Sequence, residues 1–143
     1  MANKPTKPKD LFAAIDHLVI DSPAFADLKG ESVRLLLIIA RQFDGRNNGH
    51  LQATLSFTKE RGISSKQTLQ RAVADLISHG FIYRTRSHGF EAGKNTHSRY
   101  AITWRKLSDN TKELFPHGFK MRAWQSWPFD KNSEVPKVNP MKN

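Results

Sequence analysis

Between Gly62 and Arg86 the chain reads GISSKQTLQRAVADLISHGFIYRTR, and its polar side chains are of types that can pair with the edges of nucleobases. A guanidinium places two donors on the acceptor edge of guanine, and a carboxamide matches the donor and acceptor of adenine. Helical spacing would gather such groups on one side. At about 100° per residue, with Leu69 centred on the buried face, Leu76, Val73 and Ala72 fall within about 60° of it. Ser64, Gln67, Arg71, Ala74 and Ser78 then project to the far side, with Thr68 and Gln70 on the flanks. Long polar side chains are thus mixed with small residues that let a partner come close. Lys66 lies nearer the apolar edge and suits a phosphate better than a base.

Charge points the same way. The 143 residues carry 23 Lys and Arg against 13 Asp and Glu, a net of +10. That balance calls for a polyanionic partner, nucleic acid or an anionic membrane surface. The excess is not spread evenly. Lys4, Lys7, Lys9 and Lys29 are offset by Asp10, Asp16, Asp21 and Asp27 in the first 30 residues, whereas Arg61, Lys66, Arg71, Arg84, Arg86, Lys94 and Arg99 meet only Asp75 and Glu91 within residues 61–104. A uniformly solubilising surface would lack this concentration.

Other chemistry finds little support in the residues. The histidines at 17, 50, 79, 88, 97 and 117 show no HxxxH or HExxH spacing, and cysteine is absent, so no zinc site or thiol nucleophile is expected. There is no glycine-rich phosphate loop ending in Gly-Lys-Ser/Thr, and the acidic residues stand singly rather than in a metal-binding cluster. The expectation is a protein without catalytic activity or cofactor. No apolar run approaches the roughly 20 residues that span a bilayer. No helix pairs a basic face with large exposed apolar residues, which disfavours peripheral membrane attachment. The opening MANKPTKPKD has charge but no apolar stretch behind it, unlike a secretory signal. A cytoplasmic, nucleoid-associated domain is the expected setting.

The elements that must position these groups follow from pattern. Residues 1–10 are rich in Lys and Pro and are expected to be disordered; residues 1–21 form an N-terminal arm. Ser22-Pro23 marks a helix start, Ser accepting a free backbone N–H and Pro losing nothing at the first position, and this helix is expected to stop at Gly30. Glu31 to Phe43 repeats apolar residues at Val33, Leu36, Leu37, Ala40 and Phe43, with Leu35, Ile38 and Ile39 widening the apolar face, the signature of a central core helix. Asp44 to Gly49 is a run of turn formers, and His50 to Ala53 has room for a short strand. Thr54 to Arg61 reads as a second helix with Leu55 and Phe57 inward and Gly62 as its stop. Ser64 and Gln67 have capping-box spacing ahead of a third helix striped with Leu69, Ala72, Val73, Leu76 and Ile77 and closed by Gly80. Phe81 to Arg86 and Ser98 to Trp104 read as strands joined by a polar loop over residues 87–97. Beyond residue 107, prolines at 116, 128, 136 and 140 and scattered charges predict an extended or disordered tail, interrupted by Trp124, Trp127 and Phe129, with Trp124 and Trp127 expected to pack back onto the domain in preference to anchoring a partner. The expected layout is an arm (1–21), one domain (22–107) and a basic tail (108–143).

That order of elements, over residues 31–104, resembles the winged helix-turn-helix plan. Its most telling stretch, Gly62 to Arg86, looks like the part shared by many bacterial, phage and plasmid winged-helix proteins. LLLIIARQFDGRNNGHLQATLS, Leu35 to Ser56, is similar to small winged-helix proteins of proteobacterial phages and mobile elements. The resemblance implies an α+β domain, mainly α with a small β-hairpin: a three-helix core and a two- or three-stranded wing. It also implies double-stranded DNA as partner, with the N-terminal part of the recognition helix in the major groove. Ser64, Ser65, Lys66, Gln67, Gln70 and Arg71 are then the contact candidates on the helix. Arg84, Arg86, His88, Lys94, Asn95, His97 and Arg99 suit a wing lying on the backbone or in the minor groove, where phosphate contacts need charge or N–H donors without strict geometry. Thr54 and Ser56 could hold a phosphate at the start of the second helix, and Thr54 could equally act as its cap. The role implied is transcription regulator or replication accessory protein of a mobile element, with a homodimer compatible with two-fold operators. The rival reading is a protein-interaction module whose Trp124, Trp127 and Phe129 anchor a protein partner.

Overall fold

A computed structural model describes residues 11–86, 89–91, 94–109 and 116–129, with residues 89–91 and 94–96 described as backbone. The class is α+β: five α-helical segments and antiparallel strand pairs.

Two single turns, α1 (His17–Ile20) and α2 (Pro23–Ala26), precede the first long helix. Ser22 caps α2 as expected, its Oγ accepting the Phe25 N–H at 3.1 Å with Pro23 in the first position. The expected stop at Gly30 is wrong, because Gly30 opens α3 (Gly30–Gln42). Its start is set from elsewhere in the chain. The Asp75 carboxylate accepts the Lys29 N–H at 3.2 Å and the Ser32 hydroxyl at 2.6 Å, so a tertiary partner supplies the cap that no local side chain provides. On α3 the buried arc runs through Ser32, Leu35, Leu36, Ile38, Ile39 and Ala40, while Leu37 is 51% exposed. Of the broad apolar face expected, Leu35, Leu36, Ile38, Ile39 and Ala40 are buried and Leu37 is left outside.

After Gln42 a loop carries the chain to α4. Asn48, buried, stitches that loop to the end of the hairpin: its amide donates to the carbonyls of Ile102, Arg105 and Lys106, and its Oδ1 accepts the Ile102 N–H at 2.8 Å. The strand expected over His50–Ala53 reduces to one antiparallel bridge, Leu51 with Tyr100. The second helix is shorter than its pattern. It is α4 (Leu55–Thr58) followed by a 3-10 turn at Lys59–Arg61, with Gly62 as its stop in the left-handed region at φ 105°. Thr58 is its buried residue, and Leu55 and Phe57 are only partly buried against the core. The Thr58 hydroxyl donates to the Ile63 carbonyl at 2.9 Å and the Ile63 N–H returns to the Thr58 carbonyl, which locks the turn into the next helix.

That helix, α5 (Lys66–Ser78), buries Leu69, Ala72, Val73, Leu76 and Ile77, the predicted stripe. Its cap lies one residue later than the predicted box. Ser65, not Ser64, accepts the Thr68 N–H. The physical reason is the Thr58–Ile63 lock, which fixes where the chain leaves the turn and so which serine reaches the free N–H groups.

Strand β1 (Ile82–Arg86) pairs antiparallel with β4 (Arg99–Ile102), and β2 (Gly89–Glu91) with β3 (Lys94–Thr96). The segment expected as a plain loop thus contains a second, shorter strand pair. The register slips between Arg84 and Arg86, where Thr85 turns inward and donates to the Gly49 carbonyl at 2.6 Å.

The packed body extends past the expected 22–107 limits on both sides. The Trp104 indole N–H donates to the Ala14 carbonyl, and Arg105 pairs with Asp16 at 3.1 Å. The expected extended tail is folded back over residues 116–129: Trp124 is 1% exposed, stacked on Phe81 at 5.7 Å and edge-on to Trp104 at 6.5 Å. Gly118 donates its N–H to the Tyr83 hydroxyl, and Phe119 meets the Tyr83 ring. Burial pushes the Tyr83 phenol above its usual range, and the Gly118 N–H works in the opposite direction. Gly80 makes this docking possible. It sits at φ 86°, and a Cβ there would lie 2.7 Å from the Trp124 backbone nitrogen. Gly80→Ala is expected to destabilise the protein by about 2–3 kcal/mol, read from the urea unfolding midpoint. An unchanged midpoint would refute this close approach. Residues 1–10, 110–115 and 130–143 lie outside the described residues, and with them the disorder expected for the first ten.

Candidate nucleic-acid interface

Three contacts hold α5 from the side opposite its polar face. The Thr58–Ile63 lock sets its entry. Arg34 reaches across from α3 and donates to the Arg61 carbonyl at 3.3 Å, closing the turn around Gly62. Asp75 ties its last turns to the start of α3. With five apolar residues buried beneath it, the helix is fixed in rotation about its own axis.

The face left outward is the one predicted. Ser64, Ser65, Lys66, Gln67, Gln70, Arg71, Ala74 and Ser78 are all exposed, and Thr68 is half-buried on the flank. The side chains of Lys66, Gln67, Gln70 and Arg71 make no hydrogen bond or ion pair with a described residue. Four long polar side chains in the N-terminal half of a rigid helix are therefore available to an external partner. Ser65 is the exception in this set, because its oxygen already caps the helix.

The hairpin candidates are more engaged. Arg84 lies over the Tyr100 ring at 5.5 Å and donates to its hydroxyl at 3.3 Å, an arrangement that stiffens the guanidinium against the strand opposite. Arg86 pairs in register with Arg99, and both are half-buried. Like charges directly opposite on a strand pair are mutually unfavourable. Arg99 Nη1 is buried without a hydrogen-bond partner among the described residues. His97 is exposed; Lys94 and Asn95 lie on β3 opposite Glu91 and Phe90, with their side chains outside the described residues, as is His88. The hairpin leaves α5 after only His79, Gly80 and Phe81, so the two candidate surfaces are carried on directly connected elements.

Thr54 and Ser56 do not form the expected helix-start site. Thr54 makes no capping hydrogen bond, its hydroxyl lies 3.2 Å from that of Ser56, and α4 is a single turn. So short a helix has few aligned peptide dipoles to attract an anion.

Sequence reasoning passed over Arg34, Asp75 and His79. The i,i+4 spacing of Asp75 and His79 was a visible signal. Their partners Lys29, Ser32 and Asp27 come from 43 to 52 positions away and left no local trace. Ser78 Oγ lies 3.4 Å from His79 Nδ1, but it donates to the Asp75 carbonyl, as does Nδ1 at 2.8 Å. That geometry does not make an activated nucleophile. Trp124 is buried and Trp127 stacks on His79, so these two tail aromatics face the domain rather than forming an outward anchor. Among the described residues no three His, Asp or Glu converge as a metal site, and no helix is long and apolar enough to cross a membrane. A cleft of about 560 Å³ beside Arg46, Arg105 and Lys106 shares no residue with the predicted contact set. No protein-family model, curated protein or solved structure matches this chain.

Proposed function

We propose that this is a winged helix-turn-helix protein that binds double-stranded DNA sequence-specifically, with α5 in the major groove and the β1–β4 hairpin on the backbone or in the minor groove. One observation carries the reading. Lys66, Gln67, Gln70 and Arg71 stand exposed, engaged by no described residue, on the N-terminal half of a helix that buries Leu69, Ala72, Val73, Leu76 and Ile77 on its opposite face. The element order, the net charge of +10 and the arginine-rich hairpin support it. In this reading basic residues bring the protein to any duplex, and Gln67, Gln70 and Arg71 discriminate among base pairs. The role that fits is a regulator or a replication accessory protein of a phage, plasmid or other mobile element.

The direct test is selection of binding sites from a random duplex pool with purified protein at about 150 mM salt. An enriched motif is the expected result, and an inverted repeat would add a homodimer. Absence of DNA binding would overturn the proposal. Within a selected site, Arg71→Ala is expected to cost roughly 1–3 kcal/mol and to relax preference at one base pair, whereas Lys94→Ala weakens all sequences about equally. Equal, sequence-independent losses for both would remove Arg71 from the reading role.

A further inference from the structure

Residues 11–20 read LFAAIDHLVI, and only part of this segment is seated on the body of the protein. Val19 is fully buried, the Trp104 indole N–H donates to the Ala14 carbonyl, and Asp16 pairs with Arg105 at 3.1 Å. Leu11 and Phe12 precede these ties and stand 94% and 86% exposed. Leu18 and Ile20 are exposed as well. Four of the six large apolar side chains left outside among the described residues thus lie within ten positions. A monomer rarely leaves so much apolar surface in one short segment without a use for it.

Charge narrows what can cover it. From Leu11 to Leu28 the chain carries Asp16, Asp21 and Asp27 and no Lys or Arg, in a protein of net charge +10. Asp16 meets Arg105 and Asp27 meets His79, which leaves Asp21 exposed. Nothing here attracts a polyanion, so neither a nucleic acid nor an anionic membrane fits the segment. Two copies of a strongly basic protein, by contrast, repel each other least where the local charge is acidic.

A receiving surface lies beside the root of this arm. Arg105, which holds Asp16, also lines a cleft of about 560 Å³ with Phe43, Arg46, Lys106, Leu107 and Asp109. Phe43 and Leu107 are half-buried, whereas Arg46 and Lys106 are exposed and their side chains are engaged by no described residue. An apolar lining edged by cations suits a peptide that mixes large apolar residues with Asp, which is the composition of residues 11–21. The volume falls within the roughly 300–1,000 Å³ of pockets that enclose a ligand. Exposure as high as theirs shows that Leu11 and Phe12 do not occupy the cleft of their own chain.

We propose that two copies of this chain pair by exchanging arms, Leu11 and Phe12 of each copy entering the Phe43–Leu107 cleft of the other. Asp16 and Arg105 put the arm root and the cleft side by side, so a two-fold axis next to them satisfies both contacts and closes the assembly at two copies. None of these residues belongs to α5 or to the β1–β4 hairpin, so the surfaces proposed for DNA take no part in the pairing. The dimer does not depend on what those surfaces bind.

The test is the molar mass of the full chain, measured by light scattering over a dilution series. A mass of two 16.3 kDa chains that falls toward one on dilution is expected. Phe12→Asp should raise the dissociation constant by roughly a hundredfold or more, since a two-fold pair loses the contact twice. Its circular dichroism should match the wild type, because Phe12 lies outside the packed core. Arg46→Glu combined with Lys106→Glu should weaken the dimer from the cleft side. An equimolar mixture of the two variants is the sharper measurement. Each mixed pair sets one intact arm against one intact cleft, so dimers should reappear at concentrations where either variant alone is monomeric. A wild-type protein that stays monomeric throughout overturns the proposal, as does a dimer that Phe12→Asp leaves intact. So does a mixture with no more dimer than its components.

Discussion

DNA affinity is expected to fall about a thousandfold between roughly 50 and 200 mM salt, the behaviour of a protein that neutralises about five or six phosphates. Each neutralised phosphate releases condensed counterion, so the logarithm of affinity falls with the logarithm of salt at about −0.9 per contact. The residues placed for such contacts are Lys66 at the edge of α5 and Arg84, Arg86, Lys94, His97 and Arg99 along the hairpin. They differ in how freely they can respond. Lys66 is exposed and engaged by no described residue, whereas Arg84 is braced against Tyr100 and reaches a phosphate only if the hairpin itself is seated there. The measurement is fluorescence anisotropy of a labelled duplex titrated at several salt concentrations. Arg86→Ala or Arg99→Ala should flatten the slope by about one contact each, and Arg71→Ala should leave it nearly unchanged while lowering affinity for the selected site. A shallow slope would move the charge to a merely solubilising role and count against DNA as partner.

Trp124→Ala is expected to destabilise the fold by about 3–5 kcal/mol, a large part of the 5–15 kcal/mol that holds a typical domain together. The ring is fully buried between Phe81 and Trp104, so its removal opens a cavity at the junction of β1, the end of β4 and the C-terminal segment. The expected drop in Tm is roughly 10–20 °C. Trp124→Phe should cost much less. The indole N–H of Trp124 is buried without a partner among the described residues, and replacing it with a smaller apolar ring removes that donor while keeping most of the packing. Thermal unfolding followed by circular dichroism separates the two. Equal, small effects for both variants would mean that residues 116–129 do not contribute to the folded core.

The outward face of α5 was legible from spacing alone. One helix period relates Leu69 to Val73 and Leu76, and the same arithmetic places Gln67 and Arg71 opposite. Ser22-Pro23 and Gly62 were equally legible, because a hydroxyl cap, a proline at the first position and a glycine at positive φ each act within a few residues. Errors arose where a distant partner outweighed the local signal. Gly30 reads as a stop until Asp75 supplies the cap that starts α3. Leu37 reads as core alongside Leu35 and Ile39, but a helix apolar on most sides does not say which side the rest of the chain leaves open. Ser64 reads as the cap until the Thr58–Ile63 lock hands that place to Ser65.

The aromatic segment shows the same limit at larger scale. Four prolines and scattered charge after residue 107 describe a chain with little local preference for helix or strand, and over residues 116–129 the regular element formed is one short 3-10 turn, Ala123–Ser126. Its position comes from Trp124 entering a slot made by Phe81, Trp104 and the missing side chain of Gly80, none of which can be anticipated from the segment itself. Periodicity, caps and charge are short-range properties, so residue order was enough to establish the helix face, its chemistry and the basic hairpin. Which side chains from distant segments meet, as His79 meets Asp27 and Trp127, depends on how the whole chain closes around its core. Only the tertiary structure could decide that.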